Sequence, residues 1–161
     1  MTTGKMKIKG WRWKLVEKLT LLATEMSSWI LKDRGWNYQL KDFGRMPKNS
    51  LGKRFYDYMV RNKIGYKPNL IQHDMKHILL GYEMKMPDEM HLHTYLMGNR
   101  SWNMLGMAYL AVCLAIVPEY LPKLRSDYRR GKLSQRLSSI DFRPMLCMDL
   151  IECRNQLNIR L

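Results

Sequence analysis

IQHDMKH, residues 71–77, is the stretch of this 161-residue chain from which the fold class and the chemistry can be worked out. Residues four positions apart lie one turn apart on one face of an α-helix, so His73 and His77 can direct two imidazoles toward one ion. Asp74 lies close by on an adjoining face. Such spacing also arises by chance on a solvated helix face, so the pattern alone leaves both interpretations open.

A second helix is expected to return toward the first. Gly81 is a typical helix end, and Pro87 suits the first turn of a new helix that carries Glu89. Two imidazoles and up to two carboxylates form a nitrogen and oxygen site that suits zinc, iron or manganese and leaves positions for water or substrate. The predicted ligands are His73, Asp74, His77 and Glu89. His91 and His93 follow closely and can support such a site, although surface histidines are common.

The string His-Asp-x-x-His, eleven residues, then Glu resembles the metal signature of the ubiquinone biosynthesis protein 4 family. Only KPNLIQ separates Tyr66 from His73, where family members carry a longer helix rich in Tyr and Arg. The resemblance extends over roughly residues 46–161. It is carried by MPKNSLGKRFYDYMVRNKIGY (46–66), by ILLGY (78–82), and by the helical stretches 105–117 and 141–159.

The resemblance implies an activity, a metal and partners. The activity is the oxidative decarboxylation of a prenylated aromatic acid, in which C1 of the ring loses its carboxylate and gains a hydroxyl. Zinc is the metal that the resemblance favours, and iron or manganese are alternatives. Asp74 or Glu89 can move a proton. A prenylated lipid and other quinone-biosynthesis proteins are the implied partners.

Two further interpretations stay open. In the first, the chain is a non-catalytic isoprenoid-binding scaffold, in which the metal only joins two helices and a groove presents the lipid to partner enzymes. In the second, it is a phosphohydrolase of the HD type, which we rank last because that class needs a histidine upstream of its His-Asp pair and none precedes His73.

Periodicity predicts an all-α fold, a single domain over residues 1–161 with about six to seven helices. Residues 1–45 are expected to form a basic amphipathic helix, from about Trp11 to Leu31, and a loop that begins at Gly35 and runs to Lys48. The apolar face of that helix is expected to comprise Leu15, Leu19, Leu22, Met26 and Trp29 or Ile30. Later helices are expected at about 50–62, 69–81, 87–97, 101–118, 122–131 and 144–158.

The longest apolar stretch, Met104 to Val117, is too short to span a bilayer, which takes about 20 residues. It predicts a fully buried central helix, although the floor of a lipid channel would have the same composition. Fourteen methionines suit core packing or a groove for a prenyl tail. Cys113, Cys147 and Cys153 are expected to be buried reduced thiols in a reducing compartment.

A formal charge of +14 is concentrated in residues 5–18 and 123–136. Nucleic acid is a weak candidate partner because no recognisable nucleic-acid motif accompanies the charge. Trp11 and Trp13 beside Lys and Arg are typical of a helix on an anionic membrane surface, and a merely solvated basic helix is the equal alternative. No apolar run of signal-peptide type begins the chain. We expect a cytoplasmic protein, peripheral to the inner face of the membrane; a homo-oligomer stays open.

Overall fold

The computed structural model describes residues 10–30 and 36–161. Within those ranges the protein is helical and contains no β-strand, only an isolated bridge between Ser50 and Asp149. The all-α prediction is confirmed, with eight α-helices rather than six to seven. They are α1 (Gly10–Ile30), α2 (Leu40–Gly44), α3 (Leu51–Arg61), α4 (Ile71–Leu80), α5 (Asp88–Gly98), α6 (Met104–Ile116), α7 (Leu121–Leu133) and α8 (Leu150–Gln156).

The additional helix, α2, lies inside the segment that was expected to be a loop. Five residues are too few to show a helical period, so periodicity could not reveal it. The backbone N–H of Gln39 donates to Asp42 at 2.7 Å, which closes the first turn, and Phe43 is completely buried. The predicted end of the first helix, at Leu31 to Gly35, lies outside the described residues.

Side-chain caps set several helix boundaries. Ser50 accepts from the backbone N–H of Lys53 at the start of α3, as predicted. Asn103, rather than Ser101, caps α6 by accepting from the N–H of Gly106. Asp149 caps α8, which therefore starts later than the expected position near Pro144.

Helix α1 packs against α6 with a face other than its predicted apolar one. Its inward face carries Val16, which is fully buried, and Thr20, whose hydroxyl lies 2.9 Å from that of Tyr109 on α6. Arg12 also contacts Glu119 at 2.6 Å, which secures the start of α1 to the segment after α6. The predicted apolar face of α1 is exposed to solvent, including Leu15, Leu22, Met26 and Trp29.

Helix α6 is only half buried, so the prediction of a fully buried central helix is wrong. Tyr109, Leu110 and Cys113 face the interior, whereas Met104 is 79% and Val112 47% exposed. An uncharged helix gives no amphipathic signal, because apolar residues occupy every face. Only the neighbouring helices decide which side is covered.

Two glycines allow α5 and α7 to pack in direct backbone contact. A Cβ atom at Gly98 would lie 2.1 Å from the carbonyl oxygen of Tyr128, and one at Gly131 would lie 2.1 Å from that of Tyr95. Real Cβ atoms do not approach so closely, so both positions require glycine. This contact holds α5, which carries Glu89, in a defined place.

The buried apolar side chains form two clusters. The larger surrounds Phe43, Phe55 and Tyr95, and the smaller lies between α1 and α6.

Cys113 and Cys153 are buried free thiols as expected, but Cys147 is exposed because it precedes α8 instead of lying within a helix. In the described ranges no single helix is long and apolar enough to cross a bilayer. Only α6 together with residues 118–133, a pair bent at its junction, has the length and apolar composition of a span.

Candidate metal centre

The helix pair α4 and α5 brings the predicted ligands together. Gly81 ends α4 with a left-handed φ of 72°, and its N–H donates to the carbonyl of His77. The backbone N–H of Glu83 donates to Asp88 at 2.7 Å, which joins the connecting loop to the start of α5. Pro87 immediately precedes α5, one position before the predicted place.

His73, His77 and Glu89 form a cluster in which one donor atom from each residue lies within 4.8 Å of the others. His77 Nε2 is 3.3 Å from Glu89 Oε1, and His73 Nε2 is 3.9 Å from Glu89 Oε2. It is the one such group of three among the described histidines, cysteines and acids. Three of the four predicted donors therefore meet in space.

The ring nitrogens of His77 show that the cluster is suited to an ion. The side chain is fully buried, Nδ1 has no hydrogen-bond partner, and Nε2 has only the carboxylate of Glu89 near it, at 3.3 Å. Buried polar groups are almost always paired. Two imidazole nitrogens and a carboxylate oxygen are donors that zinc, iron and manganese all accept.

Asp74 occupies a different place from the other three predicted ligands. Its Oδ1 lies 3.2 Å from His73 Nδ1, and its side chain is largely buried. If Nδ1 carries the proton and donates to Asp74, Nε2 is left as the donor atom beside Glu89. A carboxylate in that position orients an imidazole ligand and fixes its tautomer.

Electrostatics couple His77 and Glu89. Burial opposes charge on both groups, but the attraction between imidazolium and carboxylate outweighs it. The pKa of Glu89 is consequently lowered to about 2, and the pKa of His77 is raised above its usual value. Glu89 is therefore an anion at neutral pH, ready to face a cation.

The two later histidines have different surroundings. The His93 ring lies 6.1 Å from that of His73 and 5.2 Å from that of Tyr109. Burial, followed by the nearby charge of His73, lowers the pKa of His93 to about 3, so it is a neutral imidazole beside the cluster. His91 faces away and contacts Asp127 through Nδ1 at 2.7 Å and the Tyr120 hydroxyl through Nε2 at 3.0 Å.

Asp127 is the residue that sequence reasoning missed. It is buried, and it accepts from the Tyr82 hydroxyl at 2.5 Å and contacts Arg130 at 3.2 Å as well as His91. An isolated aspartate in a basic stretch carries no spacing signal, since its partners come from α5, α7 and the loop after α4. The network connects these elements beside the cluster.

A cavity of about 730 Å³ opens beside the cluster, between α1, α4, α5 and α6. His73, Asp74, Glu89 and His93 contribute polar atoms to its wall. Much of the remaining wall is apolar. It includes Leu21, Ile64, Met84, Met86, Leu96, Leu105 and Tyr109.

The methionines on and beside α4, α5 and α6 differ in their surroundings. Met84 and Met86 line the cavity, Met75 and Met90 are fully buried, and Met104 is exposed. Thioethers are flexible and polarisable, so two of them suit the wall of a cavity for an irregular apolar ligand.

No protein-family model and no curated protein sequence matches the chain. Among solved structures, the chain is similar to a crystal structure from Nostoc punctiforme PCC 73102 that is provisionally named a ubiquinone biosynthesis protein. The TM-score is 0.62 at 14% sequence identity, over 94% of this chain and 83% of the other. At that identity the likeness concerns the fold.

Proposed function

We propose that this chain is a metal-dependent protein of quinone biosynthesis that catalyses the oxidative decarboxylation of a prenylated aromatic acid at C1. The observation that carries the proposal is the position of the His73, His77 and Glu89 cluster at the wall of a large, substantially apolar cavity. The structural likeness to the Nostoc protein and the spacing of the His-Asp-x-x-His string support it.

The cavity has the two chemical regions that such a substrate needs. Leu21, Leu96 and Leu105 offer apolar surface for a prenyl tail, and burial of each CH₂ contributes about 0.8 kcal/mol. Lys67 and Lys76 also line the cavity, and Lys67 contacts Glu25 at 2.6 Å, so a substrate carboxylate at this end would join an existing ion pair. The substrate head would then lie against the cluster, with the tail along α1 and α6.

The reaction balances as follows. The bond between C1 and the carboxylate breaks and carbon dioxide leaves, and water supplies the oxygen of the new hydroxyl group on C1. The two electrons and two protons released reduce one dioxygen to hydrogen peroxide, so dioxygen is the oxidant that we name. His73, His77 and Glu89 would hold the metal, here zinc, iron or manganese. When bound, such an ion acts as a Lewis acid that polarises a carboxylate or ring oxygen. Asp74 orients His73 and is placed to move a proton.

Replacing His73 or His77 with Ala tests the proposal. We expect loss of bound metal, measured by elemental analysis of the purified protein, and loss of turnover of a prenylated aromatic acid, measured by mass spectrometry. His93→Gln is the matched control for metal content, because His93 lies outside the three-donor cluster. Variants that keep full metal content, or a metal-loaded wild type without turnover, would contradict the enzymatic proposal.

The second candidate function is the non-catalytic lipid-binding scaffold. The observation that favours it is that His73 and His77 lie on α4 and Glu89 on α5, so that one ion would join two helices. In that case the same alanine variants would lose stability or complex formation, and wild type would bind an isoprenoid without converting it. Thermal unfolding and lipid-extraction mass spectrometry separate the two functions.

A peripheral membrane location and partners in quinone biosynthesis belong to the proposal as well. The charges of α7 favour an anionic membrane surface as a partner. The one acid of the helix, Asp127, is buried, whereas four basic residues are exposed: Lys123, Arg125, Arg129 and Lys132. Flotation with vesicles that contain phosphatidylserine measures this attraction. Binding that is equal on neutral vesicles would contradict it.

A further inference from the structure

The outer face of α1 carries an apolar stripe that is open to solvent. Leu15, Leu22 and Trp29 follow one another at intervals of seven residues, which keeps them on one side of the helix with a drift of about 20° per interval. They are 40%, 56% and 85% exposed. Met26, one turn after Leu22, extends the stripe. A stripe of this spacing is typical of a helix that packs lengthwise against another helix.

The charged residues beside the stripe can pair with the same residues of a second copy. Lys18 precedes Leu22 by four residues and Glu25 follows it by three, so both lie on the same flank of the stripe, and both are exposed. Lys18 and Glu25, the charges nearest the stripe, are one of each sign, whereas Glu17 lies on the side of α1 that lines the cavity. A balanced face does not select an anionic membrane, whereas it can select a copy of itself.

We propose that α1 packs antiparallel against α1 of a second copy of this chain, about a two-fold axis that passes beside Leu22. Leu15 and Trp29 lie seven residues before and after Leu22, about 10.5 Å to either side at a rise of about 1.5 Å per residue. In an antiparallel pair, Leu22 therefore faces Leu22, and each Leu15 faces Trp29 of the second copy. The contact is isologous, so it closes as a dimer.

The same register brings the charges together. The two-fold axis keeps a given flank of both helices on the same side of the dimer. Lys18 then lies within about 1.5 Å, measured along the helix axis, of Glu25 of the second copy, and the pair occurs twice. Glu25 already contacts Lys67 of its own chain at 2.6 Å, and a carboxylate can accept from two ammonium groups.

The dimer is independent of the metal and of the proposed reaction. The side of α1 that lines the cavity carries Glu17, Thr20, Leu21 and Thr24, which lie about 100° or more around the helix from Leu22. A contact between two helices is smaller than a standard interface of about 1,600 Å². The dimer should therefore be reversible and concentration-dependent.

Sedimentation velocity over a wide range of protein concentration tests the proposal. Wild type should shift from monomer to dimer as concentration rises. Leu22→Glu places like charges at the two-fold axis and should raise the dimer dissociation constant by about hundredfold. Ile151→Glu on α8 is the matched control, because Ile151 is 66% exposed and distant in sequence; its dissociation constant should be unchanged.

Charge reversal tests the register. Lys18→Glu and Glu25→Lys should each raise the dissociation constant by about tenfold, and the double variant should recover wild-type affinity within about threefold. Glu25→Lys and the double variant both lose the Lys67 contact, so comparing them isolates the contact between copies. Circular dichroism checks that each variant is folded.

Three outcomes would overturn the proposal. They are a wild type that stays monomeric, a double variant that is weaker than either single variant, and an α1 that binds anionic vesicles without any dimer in solution. A protein that dimerises as described but lacks metal or turnover would contradict only the proposed function.

Discussion

Glu89 joins the fully buried His77 to the cavity, and its charge is the part of the cluster that favours a cation. We expect Glu89→Gln to lower metal affinity by about 10–100-fold or more, because an anionic oxygen donor is replaced by a neutral amide. Stability without metal should fall by about 3 kcal/mol at neutral pH, because the variant removes the carboxylate whose attraction to His77 outweighs the cost of burying the pair. Chelator-competition titration and urea unfolding in EDTA measure the two effects.

The outcome that would contradict this expectation is unchanged metal affinity. Asp74→Asn provides the comparison, because Asp74 contacts His73 rather than the shared space between the three donors. Its effect on affinity should be smaller than that of Glu89→Gln. Equal effects would place Asp74 among the ligands, as the sequence had predicted.

Asp127 should make stability depend on pH. Burial opposes its charge, but the hydrogen bonds from His91 and Tyr82 hold its pKa below the usual value. A carboxyl group whose pKa is lower in the folded state stabilises the fold above the unfolded pKa, and this contribution disappears as pH falls through the folded pKa. We expect Asp127→Asn to cost about 1–3 kcal/mol at pH 7, with the difference from wild type shrinking below about pH 4.

Urea unfolding of both proteins across this pH range measures that difference. A stability gap that stayed constant from neutral to acidic pH would show that the charge of Asp127 contributes nothing. Asp57→Asn is the control, because Asp57 is half exposed and pairs only with Lys53 on the surface of α3.

At the level of helices, the contact between α5 and α7 depends on Gly98 and Gly131, which have no side chain. Gly98→Ala should destabilise the protein by about 1–3 kcal/mol, since the added methyl group would meet the backbone of Tyr128, which cannot move without shifting α7. Gly10→Ala is the control: nothing lies within 4 Å of its added methyl group, and stability should stay the same or rise slightly. The denaturant midpoints of the two variants, measured by urea unfolding, test this expectation. Equal midpoints would contradict the close contact between α5 and α7.

Helix positions were easier to predict than the faces that helices bury. Ser50, Gly81 and Gly98 mark helix ends through local hydrogen bonds and backbone conformation, which act within a few residues. The buried side of α1 could not be predicted in this way. Its two faces both carry apolar residues, and the contact of Thr20 with Tyr109, distant in sequence, determines which face is covered.

At the level of the whole molecule, the cavity exists because four helices distant in sequence enclose it. Leu105→Trp should fill the part of the cavity beside α6 and weaken binding of a prenylated phenol by about tenfold or more, without changing metal content. Met104→Trp is the control, since Met104 is 79% exposed and lies outside the cavity wall. Thermal shift on lipid addition measures binding, and equal shifts for both variants would contradict a ligand in this cavity.

The cluster was partly predictable for a physical reason. His73 and His77 share a face because helical geometry alone places residues four apart together. Glu89 could be proposed only through the family resemblance and the helix signals at Gly81 and Pro87, and its distance to His77 follows from how α4 and α5 pack. The contact of Asp74 with His73 and the network around Asp127 depend on tertiary packing, so the sequence did not reveal them.

By itself, the sequence determined the all-α class, most helix boundaries and three donors for an ion, because these depend on interactions between residues close in the chain. The tertiary structure alone decided that α6 is half exposed, that α1 turns Leu22 and Trp29 to solvent, and that the donors border a cavity. Those features arise from contacts between distant segments. Helix periodicity constrains such contacts only where one face is clearly apolar and the other clearly polar.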